Sequence, residues 1–325
     1  MFSTIRKLAK ENHKLSLAVF FDILWCGFRY GAGYVDYLIF DFVRLSRKQR
    51  RTFVTRGINN EFIRKLNDKE HYFKFEDKTV FNSLFKKYIG RNWVCLKDVS
   101  AEEFVRFFEE NPVVMAKPVD SICGKGIEKF SVSDCDSAEL YERLIGTGQL
   151  LVEECIVQHE DVSRMNPSSV NTIRFMTIAG DSEQEVYVMF RALRVGVGDN
   201  VVDNFNAGGL FVLLNENGVI ISDAVNKKTE IFTRHPSTDV VFKGVQLPFF
   251  KEAEEMVKES ARVVPEIRYV SWDVAVTPKG PVIVEANHNP GYDLLQSKVY
   301  LMDNEYGRLA DFVAVATKVG TEARK

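Results

Sequence analysis

The sequence has no CxxC pair. Its five cysteines, Cys26, Cys95, Cys123, Cys135 and Cys155, are odd in number and scattered. This argues against a zinc ribbon or a secreted disulfide framework and for a reducing cytoplasm. No apolar run is long enough to span a bilayer: the longest, residues 15–28, is broken by Asp22 and falls short of the ~20 residues required. Met1 to Lys14 shows no signal-peptide cleavage pattern. Neither sign of charge dominates. With 43 basic and 45 acidic residues the net charge is −2, which excludes nucleic-acid binding through a global basic field. Internal repeats, low-complexity linkers and a GxxxxGK[ST] phosphate loop are also missing. What is present is 46% apolar residues over 325 positions, enough for a sizeable core and about two domains.

One region departs from this balance. Residues 1–56 carry 11 basic and 4 acidic side chains, interleaved with Phe20, Phe21, Trp25, Phe28, Tyr30, Tyr34 and Tyr37. Such a segment can bind a membrane surface or a partner. Its amphipathic periodicity favours the plainer alternative, a helical layer with its aromatics packed inward.

Residues 1–72 read as helical, with turns near Gly31–Gly33 and at 57–60. A linking segment, 73–112, opens with Asp77 placed to cap a helix that Gly90 stops. Residues 113–160 form a subdomain whose strand 113–119 folds back through a small-residue loop onto 127–130. Residues 161–325 hold strands at 171–179, 185–195 and 208–214, a helix at 251–264 and two final strands, 269–277 and 281–286. The expected class is α+β, built on antiparallel sheets.

The last two strands carry the chemistry. A hairpin centred on Lys279 sets Thr277 against Pro281, Ala275 against Ile283 and Asp273 against Glu285, with Asn287 on the same face. Opposed carboxylates destabilise a strand pair unless a cation lies between them. Hard oxygen donors without Cys or His suit Mg²⁺ when phosphate oxygens complete its octahedron. The same residues would also suit a solvent-facing pair balanced by Lys279 or Arg268. Further signals are weaker. Lys117 ends an apolar strand ahead of Ser121, Gly124, Lys125 and Gly126, whose amides could cradle phosphate. Lys78 could be a second phosphate lysine, and by its spacing alone could equally be a surface residue.

Taken in order, these parts resemble the ATP-grasp superfamily and, within it, the sugar-transfer-associated ATP-grasp proteins. The matching runs are Tyr30-Gly31-Ala32-Gly33, Asp36-Tyr37, Leu150 to Ile156, Asn166 to Arg174, Asp203 to Gly209, His235-Pro236, Ser271-Trp272-Asp273, Glu285-Ala286-Asn287 and Pro290-Gly291. The resemblance implies an ATP-grasp fold, two α+β subdomains clamping ATP, preceded by the helical N-terminal region. It implies Lys78 and Lys117 as phosphate lysines and Ser121, Gly124, Lys125 and Gly126 as the covering loop. Glu153, Glu154 and Ile156 become the adenine hinge, and His159 or Glu160 a ribose contact. Asp273, Glu285 and Asn287 become the Mg²⁺ ligands, and Asn204, Asn206, Gly208 and Gly209 a turn near the acceptor. Arg174 is the candidate for stabilising the transferring phosphate. Arg191 is a candidate substrate contact, although Arg191 and Arg194 are an odd number of positions apart, so only one of them faces the site.

The activity implied is an ATP- and Mg²⁺-dependent carboxylate–amine ligase working through an acylphosphate, with small-molecule acid and amine substrates, a sugar-related precursor among them, and a glycosyltransferase as a candidate partner of residues 1–56. The alternative is a kinase that phosphorylates a hydroxyl on the same scaffold. His159, His235 and His288 are available to help deprotonate an amine.

Overall fold

The computed structural model describes residues 2–119, 126–182, 185–199, 208–301 and 306–320. Two antiparallel sheets organise it. The smaller contains β1 (Trp93–Cys95), β2 (Val113–Lys117), β3 (Glu128–Ser131) and β4 (Leu151–Glu154) in the order β1-β4-β2-β3. Helices Ala101–Glu110 and Ser137–Thr147 are capped by Ser100 and Asp136. They close this sheet's core with Phe104, Phe108, Leu140 and Leu144 against Val114, Ala116 and Val152.

The larger sheet contains β5 (Thr172–Ala179), β6 (Val186–Val195), β7 (Leu210–Leu213), β8 (Ala224–Val225), β9 (Ile231–Phe232), β10 (Tyr269–Thr277) and β11 (Gly280–Asn287). Its order is β11-β10-β5-β6-β7-β8-β9. Ile173, Phe175, Leu193, Trp272, Val274 and Ile283 join the main core with Ala253 and Val257 of helix Phe250–Ser260. The residues that alternate with them, among them Arg174, Arg194 and Asp273, belong to the other face.

The hairpin register differs from the sequence expectation near the turn. Thr277 pairs with Gly280, Ala275 with Val282 and Val274 with Ile283, so the loop is the two-residue Pro278-Lys279. A β-bulge at Val284 then shifts the register, and Asp273 does face Glu285, with Ser271 facing Asn287. The bulge matters for the site. Ile283 lies in the core, and without the extra residue Glu285 would follow it there; the bulge turns Glu285 onto the Asp273 face.

The N-terminal layer consists of helices Phe2–Glu11, Ser16–Tyr30, Tyr34–Ile39 and Arg47–Arg50, followed by Arg56–Leu66. Val19, Cys26, Tyr30, Tyr37, Phe40, Phe42 and Phe53 form its core. Arg50 holds Asp22 with two hydrogen bonds of 2.7 and 2.8 Å, and Tyr37 Oη donates to the same carboxylate at 2.7 Å. Two expectations are corrected here. No turn interrupts 57–60: Gly57 lies inside a helix because it packs against the backbone of Gly31, where an added Cβ would come within 2.9 Å of Gly31 Cα. The inward packing of aromatics holds for Tyr30 and Tyr37, whereas Phe21, Trp25 and Phe28 are exposed. Helix Ser16–Tyr30 is apolar on both sides, and among the described residues only one side is packed into a core.

Candidate functional site

The site is built on the face of the larger sheet opposite helix Phe250–Ser260. Asp273 on β10 is buried, and Arg174 beside it on β5 grips its carboxylate through Nε to Oδ1 and through Nη2 to Oδ2, the latter at 2.6 Å. Arg194 on β6 adds Nη1 to Oδ2 at 2.7 Å. Burial alone would raise the Asp273 carboxyl, but the two guanidinium groups override it and hold it at about 2. Glu285 moves the other way. Its side chain keeps contact with solvent but is set deep among protein atoms, and burial together with the charge of Asp273 pushes its carboxyl up.

Arg191 occupies the opposite face, paired with Glu254 of helix Phe250–Ser260 at 2.6 Å. Of the two arginines on β6, Arg194 is the one brought to Asp273.

The smaller sheet contributes the second half. Lys117, at the end of β2, reaches across to Glu153 on β4, Nζ to Oε2 at 2.6 Å. Glu153 also accepts from Asn82 at 2.6 Å and from Arg91 at 3.0 and 3.2 Å. Its burial would raise its carboxyl, but Arg91 and Lys117 hold it well below the usual carboxylate range. Arg91 is the residue that sequence reasoning missed. Its guanidinium donates to Ile283 O at 2.7 Å and to Val284 O at 3.1 Å, the carbonyls at the bulge that aims Glu285. One buried arginine therefore ties Glu153 of the smaller sheet to the hairpin that carries Asp273 and Glu285. Only its position after Gly90 and its return toward an apolar strand could have flagged it, and neither is specific.

The profile of a family described as sugar-transfer associated ATP-grasp matches residues 57–299. The chain belongs to that family. No curated protein matches it by sequence. Among solved structures, the ATP-grasp ligase PsnB, complexed with minimal precursor, Mg and ADP, is similar at 14% identity and a TM-score of 0.45, with 83% of this chain and 69% of PsnB covered. D-alanyl-alanine synthetase A from Vibrio cholerae is similar at 12% identity and a TM-score of 0.44, with 76% and 65% covered. The ADP complex of purK, an N5-carboxyaminoimidazole ribonucleotide synthetase, is similar at 12% identity and a TM-score of 0.41, with 68% and 46% covered. These likenesses are too loose to carry an argument about chemistry.

The remaining candidates of this ATP-grasp protein fall as follows. Lys78 Nζ donates to Val119 O at 3.2 Å, which puts its ammonium two residues past Lys117, and Asp77 caps its helix as expected. Ser121, Gly124, Lys125, Asn204 and Asn206 lie outside the described residues. Gly126 and Gly208 adopt φ of +71° and +97°, which only glycine takes freely, and Gly209 is buried. Glu154 accepts from the Asn92 amide at 3.1 Å, and Cys155 N donates to Val113 O at 2.9 Å, so the segment leading to Ile156 is pinned to β2. His159 caps helix Glu160–Ser163 next to Val276, three residues along β10 from Asp273, and Glu160 is exposed in that helix's first turn.

The histidines are occupied elsewhere. His235 is buried, with Nε2 at 2.8 Å from Gly196 O and Nδ1 accepting from Ser237 and Thr238. His288 stacks on Tyr72 with ring centroids 4.0 Å apart and meets Glu76 at 3.1 Å. The Asn166–Arg174 run divides by role. Asn166, Ser169 and Asn171 hydrogen-bond one another, and Asn171 also takes the Gly196 amide at 3.1 Å, so these fix the segment after β6; Arg174 is the member of the run that grips Asp273. A cavity of about 680 Å³ lies past the end of β11, lined in part by Tyr72, Arg268, His288 and Asn289; it includes neither Asp273 nor Lys117.

Asp273, Glu285 and Asn287 fit a divalent cation by their chemistry. All are hard oxygen donors, and Asp273 and Glu285 face each other across the hairpin as a like-charge pair that a cation between them would relieve. Among the described residues no three His, Cys, Asp or Glu side chains form a metal cage, so two carboxylates and an amide would need phosphate oxygens to complete the shell.

Proposed function

We propose that the protein is an ATP- and Mg²⁺-dependent carboxylate–amine ligase that forms ADP through an acylphosphate. One observation carries the reading: a continuous buried chain of contacts from Lys117 through Glu153 and Arg91 to the bulge beside Glu285. It joins a cation suited to the nucleotide phosphates to a donor set suited to the metal that accompanies them. Asp273, Glu285 and Asn287 would hold Mg²⁺, which when bound neutralises phosphate charge. Phosphoryl transfer requires positioning and charge neutralisation more than a protein nucleophile. Lys78 and Lys117 hold the phosphates as point charges, while Arg174 and Arg194 stand ready to turn from Asp273 toward the transferring group. The acid's carboxylate oxygen attacks the γ-phosphorus and ADP leaves. The amine then attacks the acyl carbon, loses a proton and expels phosphate.

The family's description favours a sugar-related precursor as one substrate. Free Cys26, Cys95, Cys135 and Cys155 favour a cytoplasmic setting. Incubation with ATP, Mg²⁺, a pool of amino and sugar acids and hydroxylamine tests the proposal. The expected products are ADP, phosphate and a hydroxamate that is lost in Asp273→Asn. A stable phosphomonoester in place of the hydroxamate makes the protein a kinase. Calorimetry that detects no Mg²⁺-dependent ATP binding removes both readings.

A further inference from the structure

The exposed face of helix Ser16–Tyr30 has a composition that a water-facing surface does not explain. Leu17, Phe21, Leu24 and Phe28 are 72, 63, 54 and 87% exposed. At 3.6 residues per turn they fall within an arc of about 60°, about three turns long, with Trp25 on its edge. Val19, Cys26 and Tyr30, which anchor the helix to the N-terminal core, lie on the opposite side. Phe2 extends the apolar surface: it is 67% exposed and stacks on Phe20 with centroids 6.2 Å apart. The one acidic residue of the helix, Asp22, is turned away and bound by Arg50. The stripe is thus a ridge of aromatic and aliphatic side chains without a charge on it.

Cations flank it. Arg6, Lys7 and Lys10 are exposed on the adjoining helix Phe2–Glu11, and Arg29 is exposed at the end of the ridge. We propose that this ridge seats the protein on an anionic lipid bilayer, lying in the headgroup plane. A helix with large aromatics on one side and basic residues beside them partitions into that interface, and anionic headgroups supply the complementary charge. At about 22 Å the helix is too short to cross the membrane, and no described helix is long and apolar enough to do so. A second copy of the chain is the poorer occupant, because it would set one region with 11 basic and 4 acidic residues against another. The inference is independent of the ligase reading, since none of these residues touches the carboxylate face.

Flotation of the full chain with vesicles tests it, comparing phosphatidylcholine/phosphatidylserine mixtures with phosphatidylcholine alone. The wild type floats with the mixed vesicles. The double variant Phe21→Ser/Phe28→Ser loses about tenfold or more of that binding, while its melting temperature and nucleotide binding stay at the wild-type level. Arg6→Gln/Lys7→Gln/Lys10→Gln removes the preference for phosphatidylserine. Wild-type protein that ignores mixed vesicles overturns the proposal, as does a double variant that still binds them fully. So does a dimer in sedimentation equilibrium that Phe21→Ser/Phe28→Ser converts to monomer without any vesicle binding, which would assign the ridge to a second copy.

Discussion

Replacing Arg91 with alanine separates two things that one side chain does. The guanidinium is 2% exposed and makes five hydrogen bonds: to Glu153 at 3.0 and 3.2 Å, to Ile89 O at 3.1 Å, to Ile283 O at 2.7 Å and to Val284 O at 3.1 Å. Its removal leaves Glu153 buried with Lys117 as its remaining cation and strips a donor from two carbonyls of the bulge. Breaking a buried ion pair by removing one partner costs about 3–5 kcal/mol, and this should appear as a lower midpoint in urea unfolding. The second effect is on the proposed Mg²⁺ site. The bulge aims Glu285 at Asp273, and losing a group that orients metal ligands weakens metal affinity about 10- to 100-fold. A Mg²⁺ titration of nucleotide binding should show that shift. Arg91→Lys can restore the charge beside Glu153 but lacks the planar fork that reaches both sheets, so it should recover stability more than Mg²⁺ affinity. Unchanged unfolding in Arg91→Ala refutes the assignment of a buried link. Lost stability with an unshifted Mg²⁺ titration refutes the claim that the bulge aims the ligand.

Three other outcomes follow from the same geometry. Asp273→Asn should lower kcat for ADP release about 10³-fold while circular dichroism stays that of the wild type; wild-type turnover would dismiss the paired-carboxylate site. Glu153 sits below its ordinary value of 4.5, so it contributes stability above that value and loses it as pH falls toward the folded-state value. The unfolding free energy of Glu153→Gln should therefore depend on acid pH less steeply than the wild type, by up to ~1.4 kcal/mol per pH unit; parallel slopes would contradict it. Gly57→Ala should cost about 1–3 kcal/mol in thermal unfolding, because its Cβ would press against Gly31 Cα at 2.9 Å and Gly31 O at 3.1 Å. A neutral result would mean that the two backbones separate freely.

The strands and helices were legible wherever one periodicity ran unbroken. Tyr269–Thr277 is found where its apolar run placed it. Asp77 caps its helix as expected, but that helix ends at Leu84, and Gly90 at φ +56° closes a separate one, Lys86–Ile89. The opposition of Asp273 to Glu285 emerged from a turn drawn one residue too long, because the bulge at Val284 restores the register that the shorter turn displaces. A bulge leaves no mark in residue type, since it depends on what grips its carbonyls; here that is Arg91, nearly two hundred residues earlier in the chain. Arg191 and Arg194 illustrate the same limit. Parity shows that they part, and only the neighbour, Glu254 for one and Asp273 for the other, decides which faces the carboxylates. Apolar residues on both sides of helix Ser16–Tyr30 could not reveal which side has a partner.

The seam between the N-terminal layer and the strand that carries Asn287 bears on where the chain can be cut. Asp36 accepts the amides of Gly33 and Arg56 and also the hydroxyl of Tyr292, the last at 2.6 Å, and Asn59 donates to Pro290 O at 3.3 Å. Expression boundaries are commonly drawn where a family match starts, and here that is residue 57. Starting there would keep Asn59 and discard Asp36, so Tyr292 would lose its acceptor five residues after Asn287 and the backs of Tyr292 and Leu301 would meet water. A protein trimmed in this way would register as inactive in an enzyme assay and as unbound in a vesicle assay, and the first result would say nothing about its chemistry. Side-chain substitutions on the ridge of the full chain keep the two readouts apart.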